Sequence, residues 1–160
     1  MKQYCYCHTP IGRLLLVGKN GLLEKLHFPK SADHTVIEED WNLDEECFAD
    51  VLHQLKEYFA GRLQNFKVKM HLEGTDFQLR VWQELQQIPY GKTASYGQIA
   101  KQIGNPKACR AVGGANNKNP IPIIIPCHRI IGNDGSLTGF GGGLELKKDL
   151  LRLEKVPGLS

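Results

Sequence analysis

A cysteine, a histidine and an arginine follow one another in the tetrapeptide Pro126-Cys127-His128-Arg129, directly after the apolar residues 121–125. A cysteine thiolate is a strong nucleophile, and histidine is the side chain best suited to accept its proton near neutral pH. A nucleophile, a base and a fixed cation beside an apolar wall predict covalent chemistry. A lone buried cysteine is more often a packing residue, so both interpretations stay open at this point.

The segment around this cysteine is predicted to be extended, buried and rigid. Three prolines between residues 119 and 131 exclude a helix and a regular central strand. Neighbouring side chains on an extended chain point to opposite faces, so Cys127 and His128 would communicate only through a water or a bend. The last predicted helix, residues 144–154, has Leu146, Leu150 and Leu153 on one side and brings Glu154 within reach of the pair.

Two predicted helices upstream form a pattern typical of a helix-turn-helix. Ser95 and Gln98 make a capping box that opens one helix, and this helix ends at Gly104. Asn105 and Pro106 then supply an N-cap and a first-turn proline, which predicts a second helix over residues 106–116. An earlier capping box, Thr75 with Gln78, starts another helix.

The second helix of this pair contains Ala-Val-Gly-Gly-Ala at residues 111–115. Two glycines in a helix cost about 2 kcal/mol relative to alanine, so small side chains need a reason. Tight packing against another helix is one interpretation. The other is close approach to an external surface such as a DNA groove, with Arg110 entering the base stack where a nucleotide has been extruded. The pattern alone favours neither.

Composition and charge narrow the class of protein. The chain has 160 residues, 41% of them hydrophobic and 23% charged, without an apolar stretch of membrane-spanning length or a secretory signal. Five cysteines in such a chain favour reduced thiols in the cytoplasm. Residues 85–133 contain six basic residues and no acidic one, which predicts a surface for phosphate groups or, alternatively, an ordinary solvated face.

The first 71 residues are predicted to form a strand-rich lobe with one helix. Strands are expected at residues 4–8, 13–17, 22–28 and 65–71, with a hairpin turn at residues 18–21 and an acidic loop at residues 38–46. Apolar residues at helical spacing predict a helix that ends at Gly61. The cluster of Cys5, Cys7 and His8, with His27, lacks the paired spacing of a zinc site, so no metal is expected.

The fold class predicted is therefore α/β of the α+β type. A small antiparallel-sheet lobe over residues 1–71 is followed by a helical unit over residues 72–160 that holds the helix-turn-helix and the buried Pro-Cys-His-Arg segment.

The second unit resembles the O6-alkylguanine-DNA alkyltransferases over about residues 75–155. The segments that carry the resemblance are Lys-Ala-Cys-Arg-Ala-Val-Gly-Gly-Ala at 107–115, Ile-Pro-Cys-His-Arg-Ile-Ile at 125–131, the glycine loop at 139–143, and Leu-Leu-Arg-Leu-Glu at 150–154.

This resemblance implies roles for the reactive residues. Cys127 is expected to accept the alkyl group, His128 to take the thiol proton through a water, and Glu154 to orient the histidine. Asn119 is expected to brace the segment by hydrogen bonding.

It also implies roles in DNA and base recognition. Tyr96 is expected to help rotate the nucleotide out and to protonate the leaving base, Arg110 to replace the base in the stack, and Asn105 to lie near the phosphates. The pocket residues implied are Ile130, Phe140 and Gly141. Phe140 departs from the tyrosine common in the family, which removes a hydroxyl from the pocket.

The partner implied is double-stranded DNA containing O6-alkylguanine, bound through its minor groove by a monomer without a metal or other cofactor. The product would be a thioether that no side chain here can reverse, so each molecule should act once. O4-alkylthymine as a second substrate stays open. Three alternatives remain to be distinguished: a non-catalytic DNA-damage binder, a cysteine hydrolase using Cys127, His128 and Glu154, and a transcription regulator.

Overall fold

Two units make up the chain, Met1–Leu72 and Glu73–Ser160, and the computed structural model describes residues 1–29, 37–140 and 143–158. Strands dominate the first unit and helices the second, which confirms the mixed α/β class. No helix among the described residues is long and apolar enough to cross a membrane.

The first unit is built on a sheet with the strand order β3-β2-β1-β4. Its strands are β1 (Gln3–Thr9), β2 (Gly12–Lys19), β3 (Leu22–His27) and β4 (Asn42–Leu43). The first three pair antiparallel, as predicted, and the predicted hairpin turn is present, with Asn20 and Gly21 at φ 55° and 77°. The short strand β4 was not predicted. It lies parallel to β1 because the acidic loop pairs with that strand's open edge.

The predicted strand at residues 65–71 is wrong. Only Met70 forms a bridge, with Leu23 of β3. The backbone of Lys67 is instead held by the side chain of Gln54 on α1 (Ala49–Phe59): Lys67 N–H donates to Oε1 at 2.8 Å, and Gln54 Nε2 donates to Lys67 O at 2.9 Å. A buried side-chain amide satisfies the backbone groups that a neighbouring strand would otherwise pair.

The second unit contains the helices α2 (Asp76–Leu85), α3 (Tyr96–Gln102), α4 (Cys109–Asn117) and α5 (Leu144–Leu153). Both predicted capping boxes, at Thr75 and Ser95, are confirmed. A short parallel pair, β5 (Ala94–Ser95) with β6 (Ile130–Ile131), places the start of α3 beside the residues that follow Cys127. The core of this unit also holds Trp82, whose indole N–H donates to Ala115 O at 2.8 Å.

The predicted start of the second helix in the helix-turn-helix is wrong by three residues. The helix α4 begins at Cys109, with Ala108 as its N-cap, so Asn105 does not cap it. Asn105 instead accepts a hydrogen bond from Ala108 N–H through its backbone oxygen, at 3.0 Å. The chain makes a separate turn at Pro106 and Lys107 before the helix starts. Gly104, with φ 81°, ends the preceding helix as predicted.

The segment before Cys127 is buried as predicted, but it is not extended. A turn at Ile123 and Ile124 lies between two bridged residues, Pro122 and Ile125, and residues Cys127–Arg129 form one turn of 3-10 helix. Ile123 has φ 75°, a conformation that costs a β-branched residue free energy, and its side chain is fully buried. Prolines exclude long helices and central strands, but they permit tight turns, and turns are what this segment forms.

The buried face of α5 is also different from the predicted one. Its buried residues are Lys147, Leu150 and Leu151, whereas Leu146 and Leu153 are only half-buried. Glu154, which follows the helix, continues the same face and is also buried. The error came from assigning the face by apolar residues alone, because two of the residues that face inward are charged.

Candidate active site

His128 and Glu154 form a buried hydrogen-bonded pair. The imidazole Nε2 lies 2.6 Å from Glu154 Oε2, and neither side chain is exposed to solvent. His128 lies in the 3-10 turn, and Glu154 follows the last residue of α5. The structure therefore brings together two of the predicted site residues, as expected from their order in the sequence.

Arg129 holds the far side of the same carboxylate. Its Nε and Nη2 donate to Glu154 Oε1 and Oε2 at 2.8 and 3.1 Å, and its Nη1 donates to Ile88 O at 2.7 Å. Burial alone would raise the pKa of Glu154, but the hydrogen bonds and charges of His128 and Arg129 outweigh it and lower that pKa to about 2. The carboxylate is therefore ionised across the neutral range.

The ionised carboxylate determines the state of the imidazole. Because a carboxylate only accepts hydrogen bonds, the proton of the neutral ring lies on Nε2, and Nδ1 carries the free lone pair. Burial lowers the pKa of His128, although Glu154 opposes this shift, so the ring is neutral at pH 7. Nδ1 is buried and has no hydrogen-bond partner within the protein. His128 is thus poised as a base at Nδ1.

Cys127 is a protonated thiol in this environment. Burial raises its pKa to about 11, while hydrogen bonding from Asn119 and the charge of Lys147 partly oppose the shift. The side chain is only 5% exposed. Since thiolates rather than thiols are nucleophiles, the cysteine needs a base before it can react. The unpaired Nδ1 of the next residue is the base that the structure offers.

Asn119 supports the turn that precedes the cysteine. Its side-chain Nδ2 donates to Ile125 O at 2.8 Å, and its Oδ1 accepts from Ile121 N–H at 3.0 Å. The amide thus spans the turn at Ile123, which is the geometry expected of a bracing residue.

Lys147 is a buried cation that the sequence reasoning missed. Its Nζ donates to Ile130 O at 2.6 Å and to Thr138 O at 2.9 Å, which ties β6 to the segment before Phe140. Burial lowers its pKa to about 8, and only the thiolate form of Cys127 would oppose this shift. The signal was present in the sequence, since Lys147, Leu150, Leu151 and Glu154 follow the spacing of a single helix face.

Tyr96 and Arg110 lie on neighbouring helices of the helix-turn-helix. The Tyr96 ring is adjacent to α4 at Gly113, and its hydroxyl accepts a hydrogen bond from Thr138 Oγ1 at 3.2 Å. Arg110 is exposed on the first turn of α4, and Asn105 is exposed in the turn before it. The hydroxyl of Tyr96 keeps its own proton available for donation because it acts as an acceptor in this contact.

The glycines of α4 are not explained by packing inside the protein. A Cβ at Gly114 would meet nothing within 4 Å, and one at Gly113 would make an ordinary contact with Tyr96, at 3.6 Å. Internal crowding therefore requires glycine at neither position. Packing inside the chain, the first interpretation, therefore does not account for these two glycines.

The basic surface is smaller than the sequence suggested. Arg129 is 6% exposed and paired with Glu154, so it cannot contribute to an external field. The other five basic residues of the acid-free stretch are exposed: Lys92, Lys101, Lys107, Arg110 and Lys118.

The pocket residues are partly described. Ile130 is fully buried in β6, and its carbonyl accepts from Lys147. Phe140 is half-buried, and Gly141 lies outside the described residues. Cys5 and Cys7 are buried in β1, while His8 is exposed, and the described residues contain no group of three His, Cys, Asp or Glu side chains that could hold a metal.

Fold and site together define a protein that combines a helix-turn-helix with a buried cysteine and a histidine–glutamate pair. The second unit matches the family model described as 6-O-methylguanine DNA methyltransferase, DNA binding domain, over residues 76–156. The first matches the model described as 6-O-methylguanine DNA methyltransferase, ribonuclease-like domain, over residues 2–72. The chain belongs to the 6-O-methylguanine DNA methyltransferase family.

Relatives and solved structures resemble the chain over nearly its whole length. A methylated-DNA–protein-cysteine methyltransferase of Methanosarcina acetivorans is 51% identical over 94% of this chain and 97% of its own. One of Mycobacterium bovis is 50% identical over 97% and 93%. The crystal structure of Mycobacterium tuberculosis OGT in complex with DNA matches with a TM-score of 0.89 at 50% identity, covering 96% of this chain and 92% of that one.

Proposed function

We propose that this protein repairs DNA by direct reversal, transferring the alkyl group of O6-alkylguanine in duplex DNA to Cys127. The observation that carries the assignment to Cys127 is the His128–Glu154 pair, which leaves an unprotonated, unpaired Nδ1 on the residue that follows this buried cysteine. Membership of the methyltransferase family supplies the substrate class. A buried thiol with a raised pKa and a base fixed beside it suits a reaction started only when substrate is in place.

The chemical steps balance around these groups. The thiol proton passes through a water to His128 Nδ1, and the resulting imidazolium is stabilised by the ionised Glu154. The thiolate attacks the saturated carbon, a carbon–sulfur bond forms and the carbon–O6 bond breaks. The released electron pair stays on the guanine, whose ring then takes a proton from the Tyr96 hydroxyl. The tyrosinate recovers a proton from solvent, and the imidazolium of His128 releases one to it. The thioether left on Cys127 has no route back, so the protein acts once.

The helix-turn-helix gives the DNA-binding surface in this proposal. Its flat glycine face on α4 fits the narrow minor groove, and Arg110 projects from the first turn to fill the space of the extruded nucleotide. Asn105 and the exposed lysines would contact the phosphates. Neither the glycine face nor Arg110 needs a second copy of the chain to contact DNA, so we propose that the protein acts as a monomer. We also propose that it acts in the cytoplasm.

Mass spectrometry tests the function directly. The protein is mixed with a duplex containing one O6-methylguanine, and intact protein, peptides and DNA are then measured. We expect one added methyl group per molecule, located on Cys127, with guanine restored and no second turnover. Lesion binding without modification would instead indicate a damage binder, and repeated turnover would indicate a hydrolase.

A further inference from the structure

Two buried side-chain atoms in the described part of the chain have no hydrogen-bond partner. One belongs to the residue that follows Cys127, and the other to a residue that contacts the Cys127 backbone. The first is His128 Nδ1. The other is Asn116 Oδ1, on the last turn of α4. Asn116 is 3% exposed, and its Nδ2 makes a long contact of 3.5 Å with Cys127 O. Buried polar atoms normally have hydrogen-bond partners, so two unpartnered atoms on residues next to Cys127 indicate a ligand that they share.

Both orphaned atoms are acceptors. Nδ1 accepts because Nε2 carries the ring proton, and Oδ1 is a carbonyl oxygen. A water molecule donates two hydrogen bonds and needs polar partners to occupy a buried site. The proposed proton transfer from Cys127 already places one water between the thiol and Nδ1. That water has a second hydrogen, which would be unsatisfied without another acceptor.

We infer that Asn116 is a positioning residue that anchors the water through which Cys127 passes its proton to His128. The water donates one hydrogen to His128 Nδ1 and the other to Asn116 Oδ1, and it accepts from the thiol S–H. During transfer the S–H bond breaks, the water takes that proton and gives one of its own to Nδ1. The bond to Asn116 is the same before and after, so the water keeps its place while its other two bonds reverse.

This arrangement links the DNA-binding helix to the reactive residue. Asn116 and Arg110 are both on α4, so the helix that is proposed to contact DNA also holds the proton path. The charged and titratable groups around this path are Cys127, Arg129 from the same segment, and Lys147 and Glu154 from α5 and its end. Arg129 and Glu154 are paired with each other, so the proton passes through the water to His128 while Asn116 holds the water in place.

The test is the pH dependence of single-turnover methyl transfer by Asn116→Leu, which keeps the side-chain shape and removes both polar atoms. This inference rests on the proposed function, so the wild-type protein is measured first. Its transfer rate should rise through the pKa of His128 and then level off. In Asn116→Leu we expect the rate at neutral pH to fall about tenfold, as for a lost hydrogen bond. The rate should then keep rising towards the thiol pKa of about 11.

Asn117→Leu is the matched control, because Asn117 is the next residue on α4 and its side chain is exposed. It should keep the wild-type pH profile. If Asn116→Leu does not fold, Asn116→Asp replaces it, and a carboxylate facing the same water should move the acid limb of the profile to higher pH by stabilising protonated His128.

The outcomes separate the two proposals. A wild-type protein that transfers no methyl group overturns the function. If the wild-type protein transfers methyl groups but the Asn116 variants are unchanged, only the role of Asn116 is overturned. The same holds if the variants are slowed equally at every pH, since a purely structural defect does not move a pH profile.

Discussion

Arg129 and Glu154 are joined by two hydrogen bonds, at 2.8 and 3.1 Å, and their side chains are only 7% and 0% exposed. The same carboxylate accepts from His128 and from Gly91 N–H, so four donors converge on its two oxygens. The pair connects the residue after His128 with the end of the last helix. Arg129 thus helps to keep Glu154 ionised, and Glu154 in turn holds the His128 ring in place.

Arg129→Met should strongly destabilise the second unit. Removing one partner of a buried ion pair leaves Glu154 buried without its main counter-charge, which typically costs about 3–5 kcal/mol. Urea denaturation at pH 7 measures the change. Arg152→Met is the control, because Arg152 is 53% exposed and lies 3.8 Å from Asp149, and it should cost less than about 1 kcal/mol. Equal effects of the two substitutions would contradict the assigned burial.

Glu154→Gln should remove part of the protein's acid sensitivity. The pKa of Glu154 is lowered to about 2 in the folded state from an ordinary 4.5, so its contribution is complete above pH 4.5 and is lost as pH falls towards 2. The shift corresponds to about 3 kcal/mol. Denaturation from pH 7 to pH 2.5 should show a shallower decline below pH 4.5 in the variant. A decline parallel to wild type would show that another carboxylate is responsible.

His128 adds a second acid-sensitive contribution with the same sign. Its pKa is lowered in the folded state, mainly by burial, so the unfolded chain binds a proton first and stability should begin to fall below about pH 6.5. His128→Gln should flatten the stability curve below pH 6.5. The control is His53→Gln, an exposed histidine on α1, which should leave the slope as it is.

Cys127→Ser should abolish methyl transfer while leaving the fold and DNA binding largely intact. A serine hydroxyl has nearly the shape of the thiol but is a far weaker nucleophile without stronger activation. The readouts are peptide mass spectrometry and the dissociation constant for the damaged duplex. Cys109→Ser makes the same change at a partly exposed thiol and should keep full transfer. Transfer that persisted in Cys127→Ser would end the proposed mechanism.

Arg110→Ala should slow repair of duplex DNA without touching the reactive centre. If the arginine fills the gap left by the rotated nucleotide, its loss makes extrusion costlier by the few kcal/mol of unstacking, and a tenfold or larger slowing is expected. Transfer from the free O6-methylguanine base should be unchanged. Arg152→Ala is a suitable control for the loss of one exposed charge. An equal loss with base and duplex would place the defect at Cys127 instead.

Local signals in the sequence predicted the structure well where neighbouring residues decide it. The capping boxes at Thr75 and Ser95 and the turn at Asn20 and Gly21 depend on residues no more than three positions apart. The strand signals in residues 1–71 and the helix signals in residues 72–160 also predicted the mixed α/β class correctly. The motif around Cys127 and the position of Glu154 at the end of the last helix indicated that His128 and Glu154 lie close together.

Long-range contacts decided what the sequence could not predict. Residues 65–71 avoid a regular strand because Gln54, thirteen positions before Lys67, satisfies that backbone. The inward face of α5 includes Lys147 because backbone carbonyls from two distant segments accept its protons. Arg129 can be buried because its guanidinium is paired with the Glu154 carboxylate. In each case a polar side chain is buried by a partner that periodicity does not reveal.

The backbone conformation of Ile123 limits how far the Pro-Cys-His-Arg motif alone can identify similar sites in other proteins. Its left-handed backbone costs about 1–3 kcal/mol, and only the surrounding packing and the bridge from Asn119 keep it in place. A synthetic peptide of residues 119–131 would relax out of this turn and expose an ordinary thiol. The conformation of the motif therefore depends on the whole second unit, and a matching Pro-Cys-His-Arg sequence without such a scaffold would identify only a cysteine next to a histidine.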